Sequence, residues 1–158
     1  MLFENKLISG LLIKRYKRFF VDVKINNQIV TAHCPNTGSM YGLLDKGNKV
    51  WISKSTNLKR KLKYTLEIIE VNKSKVGINT LSANKIVYQA LQSNIINEFK
   101  NFLEIKPETK FGINTRFDFQ VINKKSKSFI EVKNVTLSRK RGIAEFPDAI
   151  TTRGLKHV

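Results

Sequence analysis

Two carboxylates and an ammonium, Asp118, Glu131 and Lys133, stand on two neighbouring apolar segments, "TRFDFQV" and "FIEVKNVTL". Glu131 and Lys133 are two residues apart, so on a strand they emerge on the same face. In the first segment, alternation places Phe117, Phe119 and Val121 on one face and Arg116, Asp118 and Gln120 on the other. The polar stretch "NKKSK" joins the two segments as a hairpin. Antiparallel pairing then brings Asp118 onto the face of Glu131 and Lys133, since facing or diagonal partners lie roughly 4.5–8 Å apart. Carboxylates at that range repel unless a cation sits between them, and Mg²⁺, with Mn²⁺ as substitute, favours such oxygen ligands. The metal chemistry implied is activation of water against a phosphodiester. Lys133 would orient or activate that water, or steady the phosphate. The competing reading is a cross-strand salt bridge: a D…ExK spacing arises often by chance, and a one-residue slip of the hairpin moves Asp118 to the wrong face.

Four further stretches suit phosphate or base binding. "IKRYKRFFVDV" interleaves Lys14, Arg15, Lys17 and Arg18 with Tyr16, Phe19 and Phe20, and "NLKRKLKY" adds Lys59, Arg60, Lys61 and Lys63. On a barrel strand these form a basic, aromatic surface that grips phosphates and stacks bases. A solvated lysine-rich edge strand is the plainer alternative. "AHCPNTGSM" gathers His33, Cys34, Asn36, Thr37 and Ser39 in one tight loop. Adjacent strand residues face opposite ways, so His33 is badly placed to activate Cys34, and a small buried thiol is expected there. The amides and hydroxyls of residues 36–39 suit a phosphate instead. Finally, "FPDAITTRGLKHV" carries Arg153, Lys156 and His157 near a helix start with Asp148 at its N-cap, again a phosphate-binding position or simply a capped surface helix.

The elements that must position these residues divide into two groups. The first eighty or so residues read as about five short strands, with "SGLLIKRYKRFFVDVKI" as one long strand, "NNQ" as a turn and "IVTAHC" returning. A small OB-like β-barrel is expected, with a β-sandwich as the alternative. From about residue 82 the period changes. "ANKIVYQALQSNIINEFKNFLEI" suits a helix with Ile86, Ala90, Ile96, Phe99 and Leu103 inward, ended by Pro107, and strands follow. An α+β chain with a second α/β domain results.

The charge balance, 29 Lys and Arg against 12 Asp and Glu, gives +17 and favours a polyanionic partner, of which nucleic acid is the commonest. Compositional bias toward Lys, Asn and Ile explains part of the excess but not its clustering. The single cysteine excludes internal disulfides and multi-cysteine zinc sites. The N-terminus fits neither a secretory signal nor a membrane span, so a cytoplasmic protein is expected.

Six segments, "RYKRFFVDV", "HCPNTGSM", "VGINT", "FGINTRFDF", "EVKNVTL" and "FPDAITTRGLKH", together resemble the sugar fermentation stimulation protein family of bacteria and archaea. The resemblance implies an N-terminal OB-like domain over residues 1–81. Over residues 82–158 it implies an α/β domain of the PD-(D/E)xK nuclease-like type, incomplete at its C-terminus. It also implies DNA binding, and a regulatory effect on sugar metabolism. Asp118, Glu131 and Lys133 fall on the nuclease-like motif. Two departures stand out. Gln89 replaces a glutamate usual in the family's helix, and members normally continue past the position of Val158, so an exposed apolar patch or a covering partner is expected. Three functions follow: a Mg²⁺-dependent nuclease, a non-catalytic DNA-binding regulator on the same scaffold, or an RNA-processing protein.

Overall fold

The structure, a computed structural model, describes Phe3 and residues 5–113, 115–140 and 142–146. It separates into two compact units, one built from Leu81–Lys133 and the other from the chain before it together with the described residues from Asn134 onward.

In the larger unit, β1 (Ile8–Tyr16), β2 (Phe20–Ile25), β3 (Gln28–His33), β4 (Lys49–Lys54), β5 (Tyr64–Val71) and β6 (Ser74–Gly77) form a six-stranded sheet in the order β3-β2-β1-β4-β5-β6. A parallel pairing of β3 with β5, Ala32 to Tyr64 and His33 to Thr65, closes the first five strands into an OB-like barrel. Alternation puts Val21, Val23, Val50 and Ile52 inside, and Leu66 and Ile69 join them across the register irregularity of β5 opposite Trp51 and Ile52, all 0% exposed. Each such side chain contributes about 1.5–3 kcal/mol over its exposed state.

The single long strand expected at the start is two strands. Lys17 and Arg18 take φ of 47° and 61°, the consecutive left-handed pair of a tight hairpin turn, and the chain reverses there. Within β1 a bulge between Leu12 and Lys14 turns the strand over. Leu12 is therefore in the core opposite Val23, while Lys14 and Tyr16 share the outer face of Asp22 and Phe20. Tyr16 stacks on Phe20 at 5.5 Å, and Lys14 lies both 5.3 Å from the Tyr16 ring and 3.9 Å from Asp22.

Curvature so tight needs a close approach of backbones, and Gly10 provides it: a Cβ there would lie 2.6 Å from a Val23 methyl and 2.7 Å from the Lys24 carbonyl. Gly10→Ala is expected to cost about 1–3 kcal/mol by overpacking. A urea denaturation midpoint lowered at unchanged slope is the outcome that checks it; an unshifted midpoint would mean the barrel relaxes freely at this point.

The smaller unit holds one α-helix, α1 (Leu81–Gln92), over the antiparallel sheet β7 (Glu104–Phe111), β8 (Thr115–Ile122) and β9 (Lys127–Ile130), ordered β7-β8-β9. The overall class is thus α+β, as expected. The helix is shorter than its sequence suggests. Asn94 adopts φ 53°, and the amides of Asn94 and Ile95 turn back to the carbonyls of Leu91 and Ala90, a Schellman stop. The helix turns Val87, Tyr88 and Leu91 inward, and Ile96 and Phe99 beyond it pack on the same core as expected, whereas Ile86 and Leu103 are 50% and 62% exposed. Pro107 ends no helix. It lies in β7, an edge strand, where a missing N–H costs no ladder bond. Leu91, Phe119 and Val121 form the core here, with Tyr88 stacked 5.7 Å from Phe119.

"FIEVKNVTL" is not one strand either: β9 stops at Ile130. The helix start expected at "FPDAITTRGLKHV", with Arg153, Lys156 and His157, lies outside the described residues. No helix among the described residues is long and apolar enough to cross a membrane.

Candidate functional site

The β8–β9 pairing sets Phe119 opposite Ile130, which makes Asp118 and Glu131 the next facing positions where the ladder ends. The strict alternation expected in β8 fails at this point. Phe117 leaves the face of Phe119 and joins Phe111 and Phe129, its ring 5.7 Å and 5.1 Å from theirs. Asp118 instead reaches the helix that packs on Phe119. In β7, Glu108, the position opposite Asp118, has φ 50° and lies outside the ladder between the pairs Pro107–Phe119 and Thr109–Phe117. Asp118 reaches α1 at this irregularity.

Both oxygens of Asp118 are held. Asn84 of α1 donates its side-chain amide to Oδ1 at 2.7 Å, and the backbone N–H of Val132 donates to Oδ2 at 2.7 Å. An amide that would have continued the β9 ladder is used by a carboxylate, which explains why the strand ends at Ile130. Val132 is also the residue between Glu131 and Lys133, so one short hydrogen bond ties Asp118 to the segment bearing the other two groups. Lys133 and Glu131 form an ion pair, their side chains 34% and 27% exposed. Glu108 turns outward to Arg116 at 3.5 Å.

Among the described residues, no three His, Cys, Asp or Glu side chains gather as a metal set. The oxygen donors are therefore Asp118 and Glu131. Each Asp118 oxygen accepts one described N–H and keeps a second lone pair. Mg²⁺ and Mn²⁺ are held by one or two carboxylates with the remaining positions left to water or phosphate, so Asp118 and Glu131 are the residues that would hold such an ion. Asn84 was not legible as a site residue, because its role depends on Asp118 reaching α1; together with Val87, Tyr88 and Leu91 it shows the 84, 87, 88, 91 spacing of one helical face. Gln89, in the family's acidic position, is exposed.

The barrel presents a second constellation. Lys17 and Arg18 occupy the β1–β2 turn, and Lys59, Arg60 and Lys61 occupy the β4–β5 loop, residues 55–63. His33 lies between the two. Its ring stacks on Phe19 at 6.4 Å with 9° between planes, and its proton affinity is lowered by burial first and by the charge of Arg60 second. Phe19, 45% exposed, completes the surface, and it does so from the β1–β2 turn rather than from the strand expected there.

Two residues expected to bind phosphate are instead structural. Arg15 lies on the core side opposite Val21 and donates to the carbonyls of Arg18, Gly38 and Asn36 at 2.9, 3.0 and 2.8 Å. Asn36, 5% exposed, accepts the Gly38 N–H at 2.8 Å and so shapes its own turn. Thr37 and Ser39 remain exposed on that loop. Cys34 is fully buried, its Sγ 3.7 Å from the sulfur of Met40, as expected of a packing thiol.

The lowered proton affinity of His33 has a sign that can be checked. The unfolded chain binds this proton more tightly than the folded one, so stability rises with pH in this window. Stability is expected to fall as pH drops from about 7 to about 5, through the ordinary imidazole value. Urea midpoints measured across that range should show a slope that His33→Gln reduces. An identical slope in the variant would remove His33 as its source.

Comparison with known proteins follows this geometry. A family model described as "SfsA N-terminal OB domain" matches residues 13–78, and one described as "Sugar fermentation stimulation protein RE domain" matches residues 81–158. A sugar fermentation stimulation protein homolog of Pelagibacter ubique is 61% identical over 158 residues, covering 100% of this chain and 68% of its own. One from Synechocystis is 48% identical over 157 residues, covering 96% of this chain and 66% of its own. The solved structure of Pyrococcus furiosus SfsA in complex with Ca²⁺ superposes with a TM-score of 0.85 over 99% of this chain and 66% of that one, at 24% identity, a likeness of fold.

Proposed function

The chain belongs to the sugar fermentation stimulation protein family, and from that premise we propose that it binds DNA and carries a divalent-metal phosphodiesterase site at Asp118, Glu131 and Lys133. The observation that carries the proposal is the convergence at the end of β9, where Asp118 bonds the amide between Glu131 and Lys133. The Ca²⁺ held by the Pyrococcus furiosus protein supports a cation of the same oxygen-seeking class here.

In this reading Asp118 and Glu131 hold Mg²⁺ or Mn²⁺, which when bound supplies Lewis-acid stabilisation of the phosphate. Asn84 and the Val132 amide fix the Asp118 carboxylate, so its orientation costs nothing at the moment of reaction. Lys133 donates to the attacking water or to a phosphate oxygen, and Glu131 beside it keeps the local charge balanced. The barrel holds the substrate. OB-folds bind oligonucleotides with the loops between strands one and two and between strands four and five. In this chain those loops carry Lys17, Arg18, Lys59, Arg60 and Lys61, with Phe19 and His33 as stacking faces.

One observation favours a second reading, a DNA-binding regulator that retains the nuclease-like fold as scaffold. Both Asp118 oxygens already accept N–H bonds and Glu131 already pairs with Lys133, so the groups are satisfied without metal. The test is the incubation of the protein with labelled single- and double-stranded DNA and with RNA, with and without Mn²⁺, reading binding by anisotropy and cleavage by gel. Metal-dependent DNA cleavage supports the nuclease reading. Binding without cleavage supports the regulator, activity on RNA alone points to RNA processing, and failure to bind any of them overturns all three.

A further inference from the structure

We propose that the outer wall of the barrel around Trp51 is a second subsite for single-stranded nucleic acid, separate from the β1–β2 and β4–β5 loops. The proposal rests on the nucleic-acid reading above and goes beyond it. Val50 and Ile52 point into the core at 0% exposure, so Trp51 between them faces out, opposite Ser9 of β1 and Ile68 of β5. Two ammoniums lie over its ring, Lys49 at 5.2 Å and Lys75 at 5.0 Å. Pairing sets Glu70 between these two lysines, facing Lys49 on one side and Lys75 on the other. Yet among the described residues neither lysine forms an ion pair with Glu70. Both cations ride on the indole instead.

A planar ring with one cation from its own strand and another from β6, beyond β5, matches one nucleotide unit, a base with a phosphate on either side. Energies favour the exchange. An exposed cation–π contact is worth about 0.5–1 kcal/mol, whereas a base stacked on an aromatic side chain is worth about 1–3 kcal/mol. A base can therefore displace a lysine from the ring face, and the displaced ammonium moves to the adjoining phosphate. Duplex DNA has its base faces covered by one another and offers no such plane, so the subsite selects single strands. An acidic peptide would satisfy the lysines but has no plane for the indole.

Trp51 is the only tryptophan in the chain, so its fluorescence reports this subsite alone. Oligothymidylate is titrated into the full chain while emission and the anisotropy of a labelled strand are followed together. The expected result is quenching that saturates with the anisotropy, absent with inorganic polyphosphate, and an affinity roughly tenfold weaker in Trp51→Ala. Because Trp51→Ala can perturb the barrel, the double variant Lys49→Gln, Lys75→Gln provides the second reading. It should keep its melting profile, bind oligothymidylate more weakly, and show a smaller salt slope. Anisotropy without quenching would overturn this subsite and leave the loop-based reading intact. Quenching by polyglutamate equal to that by oligothymidylate would overturn it in favour of an acidic protein partner. Absence of any binding would sink both readings.

Discussion

Lys133→Ala is expected to lower Mg²⁺- or Mn²⁺-dependent DNA cleavage by about 10²–10³-fold, the usual loss when a preorganised donor to a reacting oxyanion is removed. DNA affinity should hardly move, because the binding cations of the loops lie on the barrel, and stability should hold, because a partly exposed ion pair contributes little. Asp118→Ala makes the contrast. It weakens the metal site too, but it also leaves the Val132 N–H and the Asn84 amide without the acceptor each uses. Losing two hydrogen bonds to a half-buried carboxylate costs about 1–3 kcal/mol, which appears in the melt. Activity lost in both variants with stability lost only in Asp118→Ala is the signature of the proposed roles. Equal cleavage by Lys133→Ala and the unmodified protein would remove Lys133 from the chemistry.

What the sequence made legible follows from how local each signal is. The barrel was readable because its strands are short, apolar on alternate residues and bounded by turn residues, and the OB-like closure is present. The β1–β2 hairpin was not readable, since "YKRF" contains no Gly or Asn to announce positive φ; the strain at Lys17 and Arg18 is accepted because the flanking strands bury Val21 and Val23. That one misreading had consequences. It placed Arg15 among the surface cations, when its fork of donors closes the barrel end on three backbone carbonyls.

In the smaller unit, the identity of Asp118, Glu131 and Lys133 as a set was legible from spacing, but how they meet was not. Strict alternation would have put Asp118 opposite to the Phe119 face. Asp118 reaches Asn84 instead, opposite the positive φ of Glu108 on a different strand, and no pattern within "TRFDFQV" carries that information. Helix length failed for a comparable reason: the apolar spacing continues past Gln92, while Asn94 stops the helix by adopting the left-handed conformation that asparagine tolerates. Periodicity reports which residues want burial, and single backbone dihedrals decide where an element ends.

Salt dependence separates the structural cations from the binding ones. Five basic residues, Lys17, Arg18, Lys59, Arg60 and Lys61, lie on the two loops that flank His33 and Phe19. If each neutralises one phosphate of a single strand, log K falls with log salt at a slope of about −3.5, or about a hundredfold between roughly 50 and 200 mM. Neutralising Lys17, Arg18, Lys59 and Arg60 to Gln should remove about 2.8 from that slope, since each contact contributes roughly 0.7. Arg15→Gln should behave oppositely. Its guanidinium is committed to the carbonyls of Arg18, Gly38 and Asn36, so the variant loses stability and keeps its slope. The two variants thus differ in which measurement moves, although each removes positive charge from the barrel. A slope that tracks total charge removed, regardless of position, would mean that +17 acts as a diffuse cloud and that the loops have no privileged role. A slope that follows only the loop residues places the nucleic acid between Phe19 and Arg60, against His33, whose protonation it would then also shift.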